Sequence, residues 1–225
     1  GPLIKTFQAF FSKVKVRKWE GGWAIVSFDV VSLFTCIPIE GAVSAVRELL
    51  EKDTELHTKT AMSVNQICRL VEMCLSCSYF LCDGKYYKQK HGCAMGSPLF
   101  PIVVNIYMER FEQLALRTYQ GIPPALWVRY VDDTYLEIKI DKQEPLFAHA
   151  NSVDKHIQFT KDGMIDRKLA FLDAAVSVNN RLQETNSHQS VFHSRETSGM
   201  NFSGRILNPK LPHRLETFSA NFSLT

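Results

Sequence analysis

Apolar and polar positions follow two different periods along this 225-residue chain, and the switches between them mark out its elements. Trp23 to Val30 is a short run rich in β-branched and aromatic residues, the pattern of a buried strand. Glu40 to Lys52 has helical spacing, with Ala42, Val46, Leu49 and Leu50 on one face. Ser63 is placed to cap a second helix that carries Ile67, Leu70, Val71, Cys74 and Leu75 at helical intervals. Tyr79 to Tyr87 reads as a hairpin, because Asp83-Gly84 favours the tight turn that two twisted strands need. Ser97-Pro98 predicts the start of a long helix, with serine as N-cap and proline at the first helical position. Leu99, Val103, Ile106, Met108, Phe111 and Leu114 give that helix a broad apolar face, and Gly121-Ile122-Pro123-Pro124 ends it.

Two further strands follow, Trp127 to Val131 and Thr134 to Ile140, with Asp132-Asp133 at the turn between them. A helix is expected from Gln143 to Val153, then strands at His156 to Thr160, Lys168 to Val178 and Gln189 to His193. From Trp23 to Thr160 the order is therefore strand, helices, strand, strand, helix, strand. That order predicts an α+β fold with an antiparallel, split βαβ (ferredoxin-like) sheet and helices packed on one face.

Composition narrows the picture only a little. Hydrophobic residues make up 45% and charged residues 22%, enough apolar material for a real core, which excludes a disordered chain. A net charge of +3 permits a nucleic-acid partner without demanding one. No apolar run reaches the roughly 18 residues of a membrane span, so no membrane partner is expected. Six cysteines are too sparse for a secreted disulfide scaffold, which points to a reducing, intracellular setting. The first residues, Gly1-Pro2-Leu3, lack a starting Met and read as the beginning of a fragment. Cys74-x-x-Cys77, with Cys82 and His91, has the look of a metal knuckle. Cys74 falls on the apolar face of its expected helix, however, and no second matched pair follows, so zinc is not expected. The run from Lys13 to Lys18 could touch nucleic-acid backbone, but it reads first as a solvated basic face.

The chemistry gathers at Tyr130-Val131-Asp132-Asp133. Neighbouring side chains within a strand point to opposite faces, so both carboxylates can serve one site only where the chain turns. Asp is common at turns for its own reasons, and the pair alone is ordinary. A third carboxylate, Asp29, closes the apolar Trp23–Val30 strand, where burying it without a partner or metal is costly. In a split βαβ sheet that strand can lie beside the Asp132-Asp133 hairpin. Three carboxylates at one sheet edge suit Mg²⁺, or Mn²⁺, both oxygen-seeking ions. Two such ions ~4 Å apart can activate an attacking 3′-hydroxyl and stabilise a leaving pyrophosphate. Between these carboxylate elements lies Gln89-Lys90-His91-Gly92-Cys93-Ala94-Met95-Gly96-Ser97-Pro98, whose glycines before a helix start allow close backbone approach to a phosphate or base pair.

Ser27-Phe28-Asp29-Val30-Val31-Ser32-Leu33-Phe34-Thr35, Gly92-Cys93-Ala94-Met95-Gly96-Ser97-Pro98-Leu99 and Arg129-Tyr130-Val131-Asp132-Asp133-Thr134 resemble motifs A, B and C of reverse transcriptases. Their wording, with Ile157-Gln158-Phe159-Thr160 and Phe171-Leu172-Asp173, is most similar to Penelope-like retroelements, whose catalytic domains are related to telomerase. The resemblance runs from about Ile4 to about Arg195. It implies a right-hand polymerase palm with partial fingers over residues 1–225, lacking the N-terminal fingers, the thumb and any endonuclease domain. It also implies an RNA template, a DNA primer and deoxynucleotides (dNTPs) as partners, and a nuclear location. By position, Asp29 and Asp132 would be the principal metal ligands, the Val30 carbonyl would assist, and Asp133 would be the weaker one. Phe34 matches the aromatic gate that crowds a ribose 2′-OH. Gln89, Gly92, Gly96 and Ser97 would line the pocket for nucleotide and template base, and Tyr130 would face the primer terminus. Departures from the family pattern are Phe100 in place of a second serine, Ala170 in place of a proline, and a loose His193-Ser194-Arg195-Glu196-Thr197. Lys161 and Lys168 are both candidates for the lysine expected after motif C, and both also read as solvated lysines beside a turn.

Two rival readings stay open on sequence. One is a nucleic-acid-binding remnant of a reverse transcriptase without activity. The other is an RNA-dependent RNA polymerase on a related palm, against which Phe34 argues, because that chemistry needs room for the 2′-OH.

Overall fold

The chain, seen in a computed structural model, is described for residues 3–4, 7–14, 18–19, 22–77, 79–88, 98–166, 168–172, 174–179, 188–194 and 223–224. In chain order, helix α1 spans Phe7–Val14, β1 Lys18–Trp19 and β2 Trp23–Val30. Next come α2 at Leu33–Cys36, α3 at Ile39–Lys52, α4 at Leu56–Lys59 and α5 at Val64–Ser76. The hairpin strands β3 (Tyr79–Cys82) and β4 (Lys85–Lys88) precede the long α6 (Phe100–Thr118). After it lie β5 (Leu126–Tyr130), β6 (Asp133–Lys139), α7 (Gln143–Val153) and β7 (Phe159–Gly163). The last strands are β8 (Lys168–Phe171), β9 (Ala174–Asn179), β10 (His188–Ser194) and β11 (Ser223–Leu224). Among the described residues no helix is long and apolar enough to cross a membrane.

The central sheet has the order β5-β6-β2-β7 with every neighbour antiparallel, the ferredoxin-like arrangement expected from the element order. Val26, Phe28 and Val30 of β2, Leu136 and Ile138 of β6 and Trp127 of β5 point to one face. There they meet Ala42, Ala45 and Val46 of α3, Val71 and Leu75 of α5, Leu146 of α7 and a row along α6. Phe28 is fully buried, with its ring packed edge-on to Trp127 and Phe147. Burial of one such side chain is worth about 2–3 kcal/mol, so this face alone fixes the sheet register firmly. The opposite face is covered as well. Ile25, Val128 and Tyr135 pack against Phe10 and Val14 of α1 and against Leu169, Phe171 and Val176 of the β8–β9 hairpin.

Several local expectations shift by a residue or two, each for a physical reason. The buried stripe of α3 centres on Ala42, Ala45 and Val46, and Leu49 stands 48% exposed at its rim. Small residues there let α6 approach closely: a Cβ on Gly41 would sit 3.0 Å from the Tyr107 ring. On α5 the buried cysteine is Cys68, whereas Cys74 and Leu70 are exposed. The core-facing reading of Cys74 is therefore corrected. The buried face of α6 runs through Phe100, Val103, Val104, Tyr107, Met108, Phe111, Glu112 and Ala115, and Leu114 is exposed. That helix begins at Phe100 rather than at Ser97-Pro98, with Pro101 in its first turn and the Leu99 carbonyl accepting from Val103 N–H.

β7 starts at Phe159 rather than His156, because residues before it form a turn held by side chains. Asp154 accepts the His156 N–H at 2.9 Å, and Asn151 accepts the Phe159 N–H at 2.7 Å. The expected strand from Lys168 to Val178 is two antiparallel strands, β8 and β9, with Leu172 in the left-handed region at φ 53° between them. Two signals act as read: Asp83 (φ 49°) and Gly84 (φ 71°) make the tight β3–β4 turn, and Ser63 caps α5. Ser63 and Gln66 form a reciprocal box, each side chain bonding the other's backbone N–H. Ser63→Ala should lower the unfolding free energy by about 1 kcal/mol, seen as a lower urea midpoint at unchanged slope.

Candidate functional site

Register brings the first two carboxylates together. Asp29 lies directly opposite Asp133 across the β2–β6 pair and opposite Thr160 across the β2–β7 pair. Period-two alternation puts Asp29, Tyr130 and Asp133 on the face of Ile25, Val128 and Tyr135, away from α3, α5, α6 and α7. Asp132 joins them from the turn, where its carbonyl accepts the Val30 N–H at 3.3 Å.

The turn itself differs from the sequence reading by one residue. Tyr130 pairs with Asp133, so Val131 and Asp132 occupy the two turn positions and Asp133 is the first residue of β6. Asp133 is thus aimed by the pleat of a strand. Asp132 is the carboxylate aimed by turn geometry, whereas the sequence pattern placed both at the turn. Val131 has φ 56°, a conformation costly for a β-branched residue, so its surroundings must hold it there.

The carboxylates feel one another. Desolvation first, then Asp132 and Asp162, pushes the Asp29 carboxyl up to about 6, and a backbone hydrogen bond at Val30 opposes the rise. Desolvation, then Asp132 and Asp29, pushes Asp133 up to about 7. Asp162 is a carboxylate the sequence reading missed; it lies on β7 opposite Ser27, on the same face as Asp29 by alternation. Its signal was the period of the strand, legible only once the strand's true start was known.

Among the described residues no group of three or more His, Cys, Asp and Glu already stands in metal-holding geometry. Asp29, Asp132 and Asp133 form an electrostatic cluster rather than a closed cage. The donor set nonetheless fits a divalent, oxygen-seeking cation, because raised carboxyl values at clustered like charges are what a nearby cation would relieve.

The other expected residues divide. Val30 is buried at the end of β2, and Tyr130 ends β5 half-buried on the carboxylate face. Phe34 sits on α2, just after left-handed Ser32, half-buried with its ring 5.1 Å from that of Phe100. Phe100, one of the departures from the family pattern, is thereby the wall behind Phe34. Gln89, Gly92, Gly96 and Ser97 lie outside the described residues, as do Cys93 and His91. Lys161 alternates to the helix face, where it pairs with Glu144 and stands over the Phe147 ring at 5.4 Å. Lys168 opens β8, exposed.

The family described as reverse transcriptase (RNA-dependent DNA polymerase) matches residues 3–174. This chain belongs to the reverse transcriptase family. Its fold is similar to that of apo telomerase from Candida tropicalis, with a TM-score of 0.63 at 12% identity over 78% of this chain and 35% of that one. The same telomerase truncated from its C-terminal domain aligns at 0.58 and 13% identity, over 78% and 39% of the two chains. Telomerase from Candida albicans, solved with the TWJ fragment of telomeric RNA, aligns at 0.52 and 15% identity, over 76% and 31%. The reverse transcriptase chain thus spans well under half the length of these telomerases. No curated protein sequence matches it.

With folded values near 6 and 7 against 3.8 in the unfolded chain, both carboxyls favour the folded state only while protonated. Their contribution is complete below about pH 4 and is lost as the pH rises through 6 to 7. In metal-free buffer at pH 8, Asp133→Asn should therefore raise the melting temperature, and at pH 4 that gain should vanish. A thermal melt series in EDTA checks both.

Proposed function

We propose that this chain is the catalytic core of a retroelement reverse transcriptase of Penelope-like type, extending a DNA primer on an RNA template with dNTPs. The observation that carries the reading is the convergence of Asp29, Asp132 and Asp133 at the ends of β2 and β6, on the sheet face that bears no helix α3, α5, α6 or α7. Mg²⁺, with Mn²⁺ as a substitute, is the cation this donor set suits. Asp29 and Asp132 would hold it, with the Val30 carbonyl assisting and Asp133 close by. Held there, such a cation would supply Lewis-acid chemistry, activating a 3′-hydroxyl and offsetting charge on the leaving pyrophosphate.

The chain's own residues do the rest. The strand ends keep the carboxylates close enough that their charges repel, and a divalent cation is then held against a cost already present in the folded protein. Tyr130 lies on the same face as Asp133, which supports the role the resemblance gives it, facing the primer terminus. Phe34, backed by the Phe100 ring, would crowd a ribose 2′-OH in the role the resemblance gives it, favouring deoxynucleotides. Gln89, Gly92, Gly96 and Ser97, which precede α6 in sequence, are the residues that the family resemblance would assign to the nucleotide and template base.

Asp132→Ala should cut primer extension in Mg²⁺ by roughly 100-fold or more, the scale on which one electrostatic group in an active site is felt. Circular dichroism should be unchanged, and extension near the parent rate would reject the metal role. A parent chain that binds template–primer and Mn²⁺ yet never extends it would instead favour an inactive nucleic-acid-binding remnant. Phe34→Ala should raise ribonucleotide incorporation by roughly ten- to a hundredfold relative to deoxynucleotides, measured by paired kcat/KM values. An unchanged preference would remove the gate assignment.

A further inference from the structure

On the helix side of the same sheet lies a polar cluster that no catalytic role accounts for. Arg129 of β5 and Glu112 of α6 are fully buried and joined by Nε–H donating to Oε1 at 2.7 Å. Trp127 Nε1–H donates to the same oxygen at 3.1 Å. Arg129 Nη1 donates to Asn105 Oδ1 of α6 at 3.0 Å and to the Val131 carbonyl at 2.9 Å. Among the described residues Arg129 Nη2 and Glu112 Oε2 have no hydrogen-bond partner. Burial raises the Glu112 carboxyl above its usual range, against the pull of Arg129.

Such a pair is a poor device for stability. Desolvating two charges costs about as much as their attraction returns, and apolar replacements are often neutral or better. What the pair does supply is a planar donor fork at a fixed position. One tine ends on the carbonyl of Val131, the residue held at φ 56° immediately before Asp132. A left-handed β-branched residue costs on the order of 1–3 kcal/mol and persists only where surrounding contacts over-determine it.

We propose that Arg129, anchored on Glu112 and Asn105, is a positioning residue that locks the Val131 turn and so delivers Asp132 to the carboxylate face. The inference rests on the reading of Asp29, Asp132 and Asp133 as the metal site. It also gives α6 a second task. Through Asn105 and Glu112, α6 holds the Arg129 fork that grips the turn carrying Asp132, so the helix braces that turn as well as packing the core.

Two variants of the 225-residue chain test this. Arg129→Lys keeps a positive charge opposite Glu112 but replaces the planar fork with donors on one compact ammonium nitrogen. The double variant Arg129→Met with Glu112→Leu removes both buried charges, leaving neither unpaired. Each is compared with the parent by circular dichroism, by amide NMR of the metal-free protein and by Mn²⁺ titration. Folded variants should show displaced Val131, Asp132 and Asp133 amide resonances and a Mn²⁺ Kd raised roughly 10- to 100-fold. Adding Val131→Gly to either variant should recover much of that affinity, because glycine adopts a positive φ without a clamp.

Parent-like turn resonances and parent-like Mn²⁺ affinity in a folded variant would overturn the proposal. So would lost affinity that Val131→Gly does not rescue, since a general structural role predicts that result. If the double variant does not fold, Arg129→Lys decides alone. Displaced turn resonances in a chain whose parent binds no Mn²⁺ would uphold the positioning role and count against the metal reading only.

Discussion

The pairing register between β2 and β6 is the constraint on which the rest depends. Asp29 meets Asp133 only because Trp23 pairs with Lys139 and each following residue stays in step. A slip of one residue would turn Asp29 toward the helices and Val26, Phe28 and Val30 toward the other face. Those three side chains are buried at the heart of the larger core. Exposing them would cost about 2 kcal/mol each, a large part of the 5–15 kcal/mol that holds a typical domain together. The apolar half of each strand thus protects the geometry of its polar end. Folding energy and site geometry are two faces of one alternation.

That arrangement leaves a local debt of charge. Carboxylates at adjacent strand ends repel, and the protein folds with Asp29 and Asp133 reluctant to ionise rather than spreading them apart. Asp162 adds to this on the same face. Fold stability and the proposed cation site pull in opposite directions here, the trade-off expected where a residue serves a site at the expense of stability. The buried Arg129–Glu112 pair follows the same logic on the other side of the sheet: poor for stability, specific in geometry.

The family resemblance and the physics divide the explanation between them. Motif wording alone places three aspartates in order along the chain. It does not say which one is aimed by a strand and which by a strained turn. The Tyr130–Asp133 pair settles that, giving Asp133 to the pleat and Asp132 to the turn. Likewise Phe100, an oddity as a replacement for serine, becomes intelligible once its ring is seen behind Phe34.

Much of this was legible in sequence, for local reasons. Asp83-Gly84 forces a tight turn, Ser63 with Gln66 starts a helix, and the apolar strand from Trp23 to Val30 announces itself by composition. The order of these elements was enough to determine a ferredoxin-like sheet, because short connections leave few other ways to bury so many apolar strands. Even Glu112 had a trace, a charge at the spacing of Met108 and Ala115 on an apolar helix face. Only the tertiary structure decided that this charge meets Arg129, that Lys161 turns to Glu144 rather than to the carboxylates, and that Leu49, Leu70, Cys74 and Leu114 stay outside. Turns and caps are short-range and written in adjacent residues. Which face of a helix is buried, and which distant side chain answers a buried charge, depends on partners far away along the chain.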